Sequence, residues 1–197
     1  MEALPRSLLL LTCCNSKRVI NLSVNMKYSH IEKERRYLLR NSAIHITPVR
    51  TLTIQDQYLP GFTIRLRRTE ELGKPVVYKL GQKIRVSENS PSKIAHTSIY
   101  ITKAEFDLFA SLPTKKIEKT RLLFPLSQST LAVDVFTGEH AGLVLAEVDT
   151  GVSVSVPNSL PIEVMCEVTD DERFTGGVLA DTSTEELLLL LEEYEVN

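Results

Sequence analysis

From Tyr28 to Asp149 the chain alternates apolar and polar residues with a period of two, in short runs separated by turn residues. That is the pattern of an antiparallel β protein. It predicts strands over 28–39, 50–59, 62–68, 75–81, 94–101, 116–124, 130–136 and 143–150. Two stretches shift to helical spacing. Thr102 and Glu105 read as a capping box opening a helix with Phe106, Phe109 and Ala110 on one face. Ser183 and Glu186 read as a second box, ahead of Leu187, Leu190, Leu191 and Tyr194. No internal repeat is visible.

What alternates is unusual. Successive strands carry charge on one face and Ile, Val or Leu on the other, because neighbouring strand residues point to opposite sides. Glu32, Glu34 and Arg36 share a face; Arg65 and Arg67 lie opposite Ile64 and Leu66; Lys79 lies opposite Tyr78 and Leu80. Lys119 and Arg121 share a face, Asp134 opposes Val133 and Val135, and Glu147 and Asp149 oppose Ala146 and Val148. Taken singly, each charged face reads as the solvated side of an open sheet. Taken together, acidic and basic pairs segregate by strand, whereas an ordinary solubilising surface intersperses the two signs. If the charged faces converge, the result is a barrel with a wet, charged lumen and an apolar exterior for the helices to cover. Arg65 and Arg67 would then contact a ligand rather than a packed core, and replacing either would weaken binding without unfolding the chain.

Composition narrows the reading. With 197 residues, 43% hydrophobic and 24% charged, the chain has the make-up of a globular protein with one core. A net charge of −2 gives no global basic field for nucleic acid, so an anion site has to be local. The adjacent Cys13 and Cys14 and the distant Cys166 lack disulfide or metal spacing, which fits a reducing, cytoplasmic setting. The apolar run Leu8 to Leu11 is too short for a secretory or membrane segment. Residues 1–25 are therefore expected to form a flexible extension, with the domain occupying 26–197.

Several stretches, in order, resemble the CYTH superfamily of triphosphate tunnel enzymes. Ile31-Glu-Lys-Glu-Arg-Arg36 is similar to its opening E-x-E-x-K strand, with Arg36 at the Lys position; Thr63-Ile-Arg-Leu-Arg67 resembles its paired-arginine strand, and Tyr78-Lys79 its lysine strand. Glu118-Lys-Thr-Arg121 resembles its K-x-R strand, and Val133-Asp-Val-Phe136 with Gly138-Glu-His-Ala-Gly-Leu-Val-Leu-Ala-Glu-Val-Asp149 its D-x-F…GE-x-AGL-x-x-AE-x-E block. Glu167-Val-Thr-Asp170 through Arg173-Phe174 is similar to its C-terminal EVT-x-D-x-R-[YF] stretch. The resemblance covers residues 28 to about 181. It implies a mainly β fold, a closed eight-stranded antiparallel barrel with a few covering helices, monomeric or homodimeric, free of membrane and nucleic acid.

It also implies site residues. Arg36, Arg65, Arg67, Lys79, Lys119 and Arg121 are expected to hold a triphosphate-containing small molecule, Arg by bidentate forks and Lys as a point charge. Glu32, Glu34, Asp134, Glu147 and Asp149 are expected to hold Mg²⁺ or Mn²⁺. The expected activity is metal-dependent hydrolysis of inorganic, nucleoside or thiamine triphosphate; the alternative is a non-catalytic polyphosphate- or nucleotide-binding module. An adenylyl cyclase would need a base-recognition segment, and none is legible. The chain departs from the family pattern where a glutamate-rich strand is expected: the corresponding face is His96, Ser98 and Tyr100. Asp134 likewise has Ala132 where a second carboxylate is usual. His96 reads either as a structural residue or as a replacement ligand. Lys83 and Arg85 read as a solvated loop or an extension of the basic rim.

Overall fold

The computed structural model describes residues 28–40, 44–85, 93–149 and 160–195. The expected N-terminal extension lies outside the described residues. Eight strands run in chain order: β1 (His30–Leu38), β2 (Arg50–Tyr58), β3 (Ile64–Glu71), β4 (Val77–Arg85), β5 (Lys93–Ile101), β6 (Lys115–Pro125), β7 (Thr130–Thr137) and β8 (Val144–Asp149). They pair antiparallel in the order β5-β4-β3-β2-β6-β7-β8-β1, and a further β1–β5 pairing closes the sheet into a barrel. Closure removes the free edges that an open sheet would expose. Strand β1 makes the join by dividing its edge. His30 to Lys33 pair with β5, while Tyr37 and Leu38 pair on with the two-residue β9 (Cys166–Glu167).

Three helices complete the fold: α1 (Lys103–Ala110), α2 (Gly176–Leu179) and α3 (Thr184–Glu195). Both expected capping boxes form. Thr102 Oγ1 accepts from Glu105 N while the Glu105 carboxylate accepts from Thr102 N, and Ser183 and Glu186 exchange the same two bonds. No helix among the described residues is long and apolar enough to cross a membrane.

The helices divide between the exterior and one end of the barrel. Helix α1 packs on the outside of β3 and β4, where Phe106 meets Tyr78 at a ring separation of 5.0 Å. Helices α2 and α3 instead stop one end of the barrel. There Leu38, Ile117, Phe136, Leu143 and Leu145, all on lumen faces, join Phe174, Leu179, Leu187 and Leu190 in one core. The other apolar cluster lies on the outside of β1, β7 and β8, around Tyr37, Leu131, Val133, Ala146 and Val148, and is covered by Ile44, Ile46, Leu160, Ile162 and Val164. The lumen is thus charged along part of its length and plugged with hydrocarbon at one end.

Gly176, which opens α2, marks where plug meets barrel. A Cβ there would lie 2.1 Å from the Tyr58 hydroxyl and 3.0 Å from the ring carbon that bears it, a collision with a half-buried ring packed against the core. Gly176→Ala should therefore lower stability by about 1 to 3 kcal/mol through overpacking. Denaturant unfolding at equilibrium checks this; an unchanged midpoint would mean that the plug is not seated on Tyr58.

Candidate functional site

Residues opposite one another in an antiparallel pair point to the same side of the sheet, so the register shows which side chains meet in the lumen. Around the barrel, Asp56 faces Arg67, Arg67 faces Lys79 and Lys79 faces Tyr100; Tyr58, Arg65, Gly81 and Ser98 form the adjacent row. On the other wall Arg121 faces Asp134, Ala132 faces Glu147, Glu147 faces Arg36 and Asp149 faces Glu34. Every site residue expected from the sequence is on this inner surface. So are three not assigned to it: Asp56, Lys83 and Tyr58. Strand β4 runs past Gly81 to Arg85, which carries Lys83 inward, in register with His96.

The charges interlock. Asp134 is 1% exposed; it takes a bidentate pair from Arg121 Nε and Nη2, both at 2.6 Å, and a third contact from Lys119 Nζ at 2.5 Å. Glu147 joins Arg36 Nη2 at 3.0 Å to Arg121 Nη2 at 2.9 Å. Asp56, also 1% exposed, takes the Arg67 fork at 2.6 Å on both oxygens, with Arg65 Nε at 3.7 Å. Lys83 Nζ bridges Glu34 at 2.6 Å and Glu32 at 2.9 Å, and Glu32 Oε1 lies 2.6 Å from His96 Nδ1. Lys79 Nζ sits 4.7 Å over the ring of Tyr100, which is largely exposed. Asp149, at the end of β8, is exposed.

The titration behaviour follows from this packing. Burial alone would raise the carboxyl groups of Asp134 and Asp56, but the adjoining Arg and Lys charges override it and hold both below the usual carboxylate range. Glu147 is held well below that range against the same burial, by Arg36 and Arg121. Glu34 goes the other way: burial and the neighbouring Glu147 charge push it up, against Lys83 and Arg36. Lys119 is pushed down by burial and by the nearby arginines, despite Asp134. Arg121 stays fully charged. The site is therefore a lattice of ionised groups, with one locus of residual negative repulsion at Glu34 and Glu147.

No three His, Cys, Asp or Glu residues gather closely enough to form a metal-holding group among the described residues. A Mg²⁺-type ion, however, commonly takes one or two carboxylates and completes its shell with water and substrate phosphates. All four of Glu32, Glu34, Asp134 and Glu147 are engaged by neighbouring cations: Glu32 by Lys83, with His96 beside it, Glu34 by Lys83, Asp134 by Lys119 and Arg121, and Glu147 by Arg36 and Arg121.

Two surface clefts lie off the lumen, one of about 680 Å³ beside Glu167–Glu172 and Tyr194 and one of about 600 Å³ between β6 and the Ala180–Ser183 turn. Neither has a comparable convergence of charge. The lumen is the candidate site because burial and charge coincide there.

Comparison with solved structures agrees with the barrel. A crystal structure of the hypothetical protein NE1496 is 25% identical, with a TM-score of 0.50 over 77% of this chain and 99% of the other. A second structure of NE1496, described as an inorganic triphosphatase, is 24% identical with a TM-score of 0.49 over 77% and 95%. A conserved hypothetical protein from Pyrococcus furiosus is 16% identical with a TM-score of 0.43 over 83% and 90%. No family model matches the chain, and no curated protein matches it significantly.

Proposed function

We propose that this chain, which has the tunnel-barrel fold of the CYTH superfamily, binds a triphosphate in its lumen and hydrolyses it as a metal-dependent triphosphatase. The observation that carries the reading is the gathering of six cations around one lumen, Lys119 buried and Arg36, Arg65, Arg67, Lys83 and Arg121 half-buried, with Lys79 beside them. Support comes also from the shared fold with NE1496, which is itself described as an inorganic triphosphatase.

Buried cations are costly unless partnered, and here carboxylates partner them. A polyphosphate offers the same hard oxygens at higher charge density, so it can exchange for the carboxylates as partner of the guanidinium forks. Arg65, Arg67 and Lys79, adjacent in register, would take one part of the chain of phosphates; Arg36, Arg121 and Lys119 would take another. Neutralising and positioning the transferring phosphoryl group is most of what hydrolysis of a phosphoanhydride needs. Glu34 and Glu147, freed in that exchange, are the residues that would hold Mg²⁺ or Mn²⁺ against the phosphate oxygens. The ion would supply charge neutralisation at the transferring phosphate.

The test is calorimetry with inorganic triphosphate, with and without Mg²⁺, beside phosphate release from inorganic, nucleoside and thiamine triphosphates in Mg²⁺ or Mn²⁺. We expect tight, metal-enhanced binding and release from at least one of these. Triphosphate binding no tighter than sulfate would sink the reading. The second reading, a binding module without turnover, rests on the β5 face: His96, Ser98 and Tyr100 bring no carboxylate to the lumen, and Ala132 brings none beside Asp134. Binding without phosphate release would select it.

A further inference from the structure

The lumen carboxylates are not all held alike. Asp56 and Asp134 are buried, and each is gripped by one arginine fork with both bonds at 2.6 Å. Glu147 is half-buried and divides its oxygens between two strands. Its Oε1 accepts from Arg36 Nε at 3.1 Å and Nη2 at 3.0 Å, and its Oε2 accepts from Arg121 Nη2 at 2.9 Å. A glutamate arm has one more side-chain torsion than an aspartate arm. The neighbouring Glu34 carboxylate repels this one, and its register partner on β7 is Ala132, which offers it no polar contact.

Both arginines have a second acidic neighbour. Arg121 keeps the Asp134 fork, and Arg36 has Glu34 at 3.6 Å, so displacing Glu147 strands neither guanidinium. Guanidinium groups match phosphate oxygens as they match carboxylate oxygens. Glu147, bridging Arg36 on β1 to Arg121 on β6, therefore stands where a phosphoryl group would sit. The arm has to leave before that group can enter, and the displacement lowers the apparent affinity of every anion by the same factor. An anion that reaches only these two arginines, such as sulfate, gains little beyond the contacts it breaks. A triphosphate also engages Arg65, Arg67 and Lys79 on the other wall and clears the threshold.

We propose that Glu147 is a built-in competitor of the ligand: it closes the Arg36–Arg121 subsite to small anions and yields it to a chain of phosphates long enough to engage both walls. This rests on the triphosphate-binding reading above and gives Glu147 a specificity role that needs no metal. The carboxylate first excludes, and is set free only when the ligand takes its two arginines.

The experiment is calorimetry of the full chain in metal-free buffer with chelator, using sulfate, diphosphate and triphosphate as probes. It compares wild type with Glu147→Gln, Glu147→Asp and Asp149→Asn. Asp149 lies two residues along the same face and is exposed, so its variant changes the net charge equally without altering the arm that bridges the two arginines. Expected for Glu147→Gln is an affinity for all three anions higher by roughly ten- to a hundredfold, equivalent to one charge-assisted hydrogen bond that no longer has to be broken. Glu147→Asp keeps the charge on a shorter arm; it guards against misfolding of the Gln variant and should show a smaller gain in the same direction. Asp149→Asn should change affinity by less than about threefold, because an exposed charge is screened. If wild type binds triphosphate and neither Glu147 variant gains, the competitor role falls and the tunnel reading stands. An equal gain in Asp149→Asn overturns the role too, since the effect would then be one of overall charge. Triphosphate bound by none of the four proteins, with or without Mg²⁺, removes both readings.

Discussion

Asp134→Ala is expected to cost about 3 to 5 kcal/mol of stability, the range for breaking a buried ion pair by removing one partner. That is a large share of the roughly 5 to 15 kcal/mol by which a domain is folded. Asp134 is the main counterion of Lys119, whose only ion pair within 4.0 Å among the described residues is this one. It also holds two nitrogens of Arg121. Its removal leaves Lys119, 8% exposed and beside the Phe136 ring at 5.1 Å, as a buried charge without a direct ion-pair partner. Arg121 is less affected because Glu147 still reaches it at 2.9 Å. The diagnostic comparison is Asp134→Ala with Lys119→Met added, measured by denaturant unfolding. The double variant should recover a substantial part of the loss, since an apolar pair of similar volume replaces the stranded ammonium. No recovery would mean that Asp134 stabilises the barrel through Arg121 and the backbone instead.

The residues that were legible from sequence were those whose side of the sheet is a matter of parity. In a strand, Glu32, Glu34 and Arg36 must share a face, and the structure carries that parity around the barrel to Arg65, Arg67, Lys119, Arg121, Asp134 and Glu147. Asp56 was missed because Leu52 and Ile54 separate it from Arg50, the other charge on its face of β2, so the face shows no repeating charge. Lys83 stayed undecided between a solvated loop and the basic rim because the alternation stops at Gly81, whereas β4 continues through the glycine to Arg85. The apolar plug was hidden in the same parity: Leu38 follows Arg36 on one face, and Leu145 precedes Glu147. Extending the charged faces toward the stoppered end would have shown that only part of the lumen is polar. What parity cannot supply is pairing, and pairing is what separates a residue that waits for ligand from one that holds the fold.

Arg65 and Arg67 show that difference, and their variants should diverge although the sequence treats them as a matched pair. Arg67 donates its fork to Asp56 with both bonds at 2.6 Å, whereas Arg65 approaches the same carboxylate only at 3.7 Å. Arg67→Ala therefore strands a buried carboxylate and should destabilise the protein by about 3 to 5 kcal/mol. The sequence alone led to the expectation that either arginine could be removed without harm to the fold, and the two variants measured side by side test it. Arg65 has Tyr58 as its other neighbour, so less of the fold depends on it. In Arg65→Ala, Asp56 keeps its bidentate partner, and unfolding should shift little. Triphosphate affinity should fall roughly ten- to a hundredfold, equivalent to the 1.5 to 3 kcal/mol of a hydrogen bond to a charged group. Paired measurements of unfolding midpoint and calorimetric affinity decide between the roles. Equal loss of stability in both variants would make Arg65 a structural counterion like its neighbour. Equal loss of affinity with both folds intact would mean instead that Asp56 is satisfied without Arg67, and that the lumen holds its charges more loosely than the bidentate geometry implies.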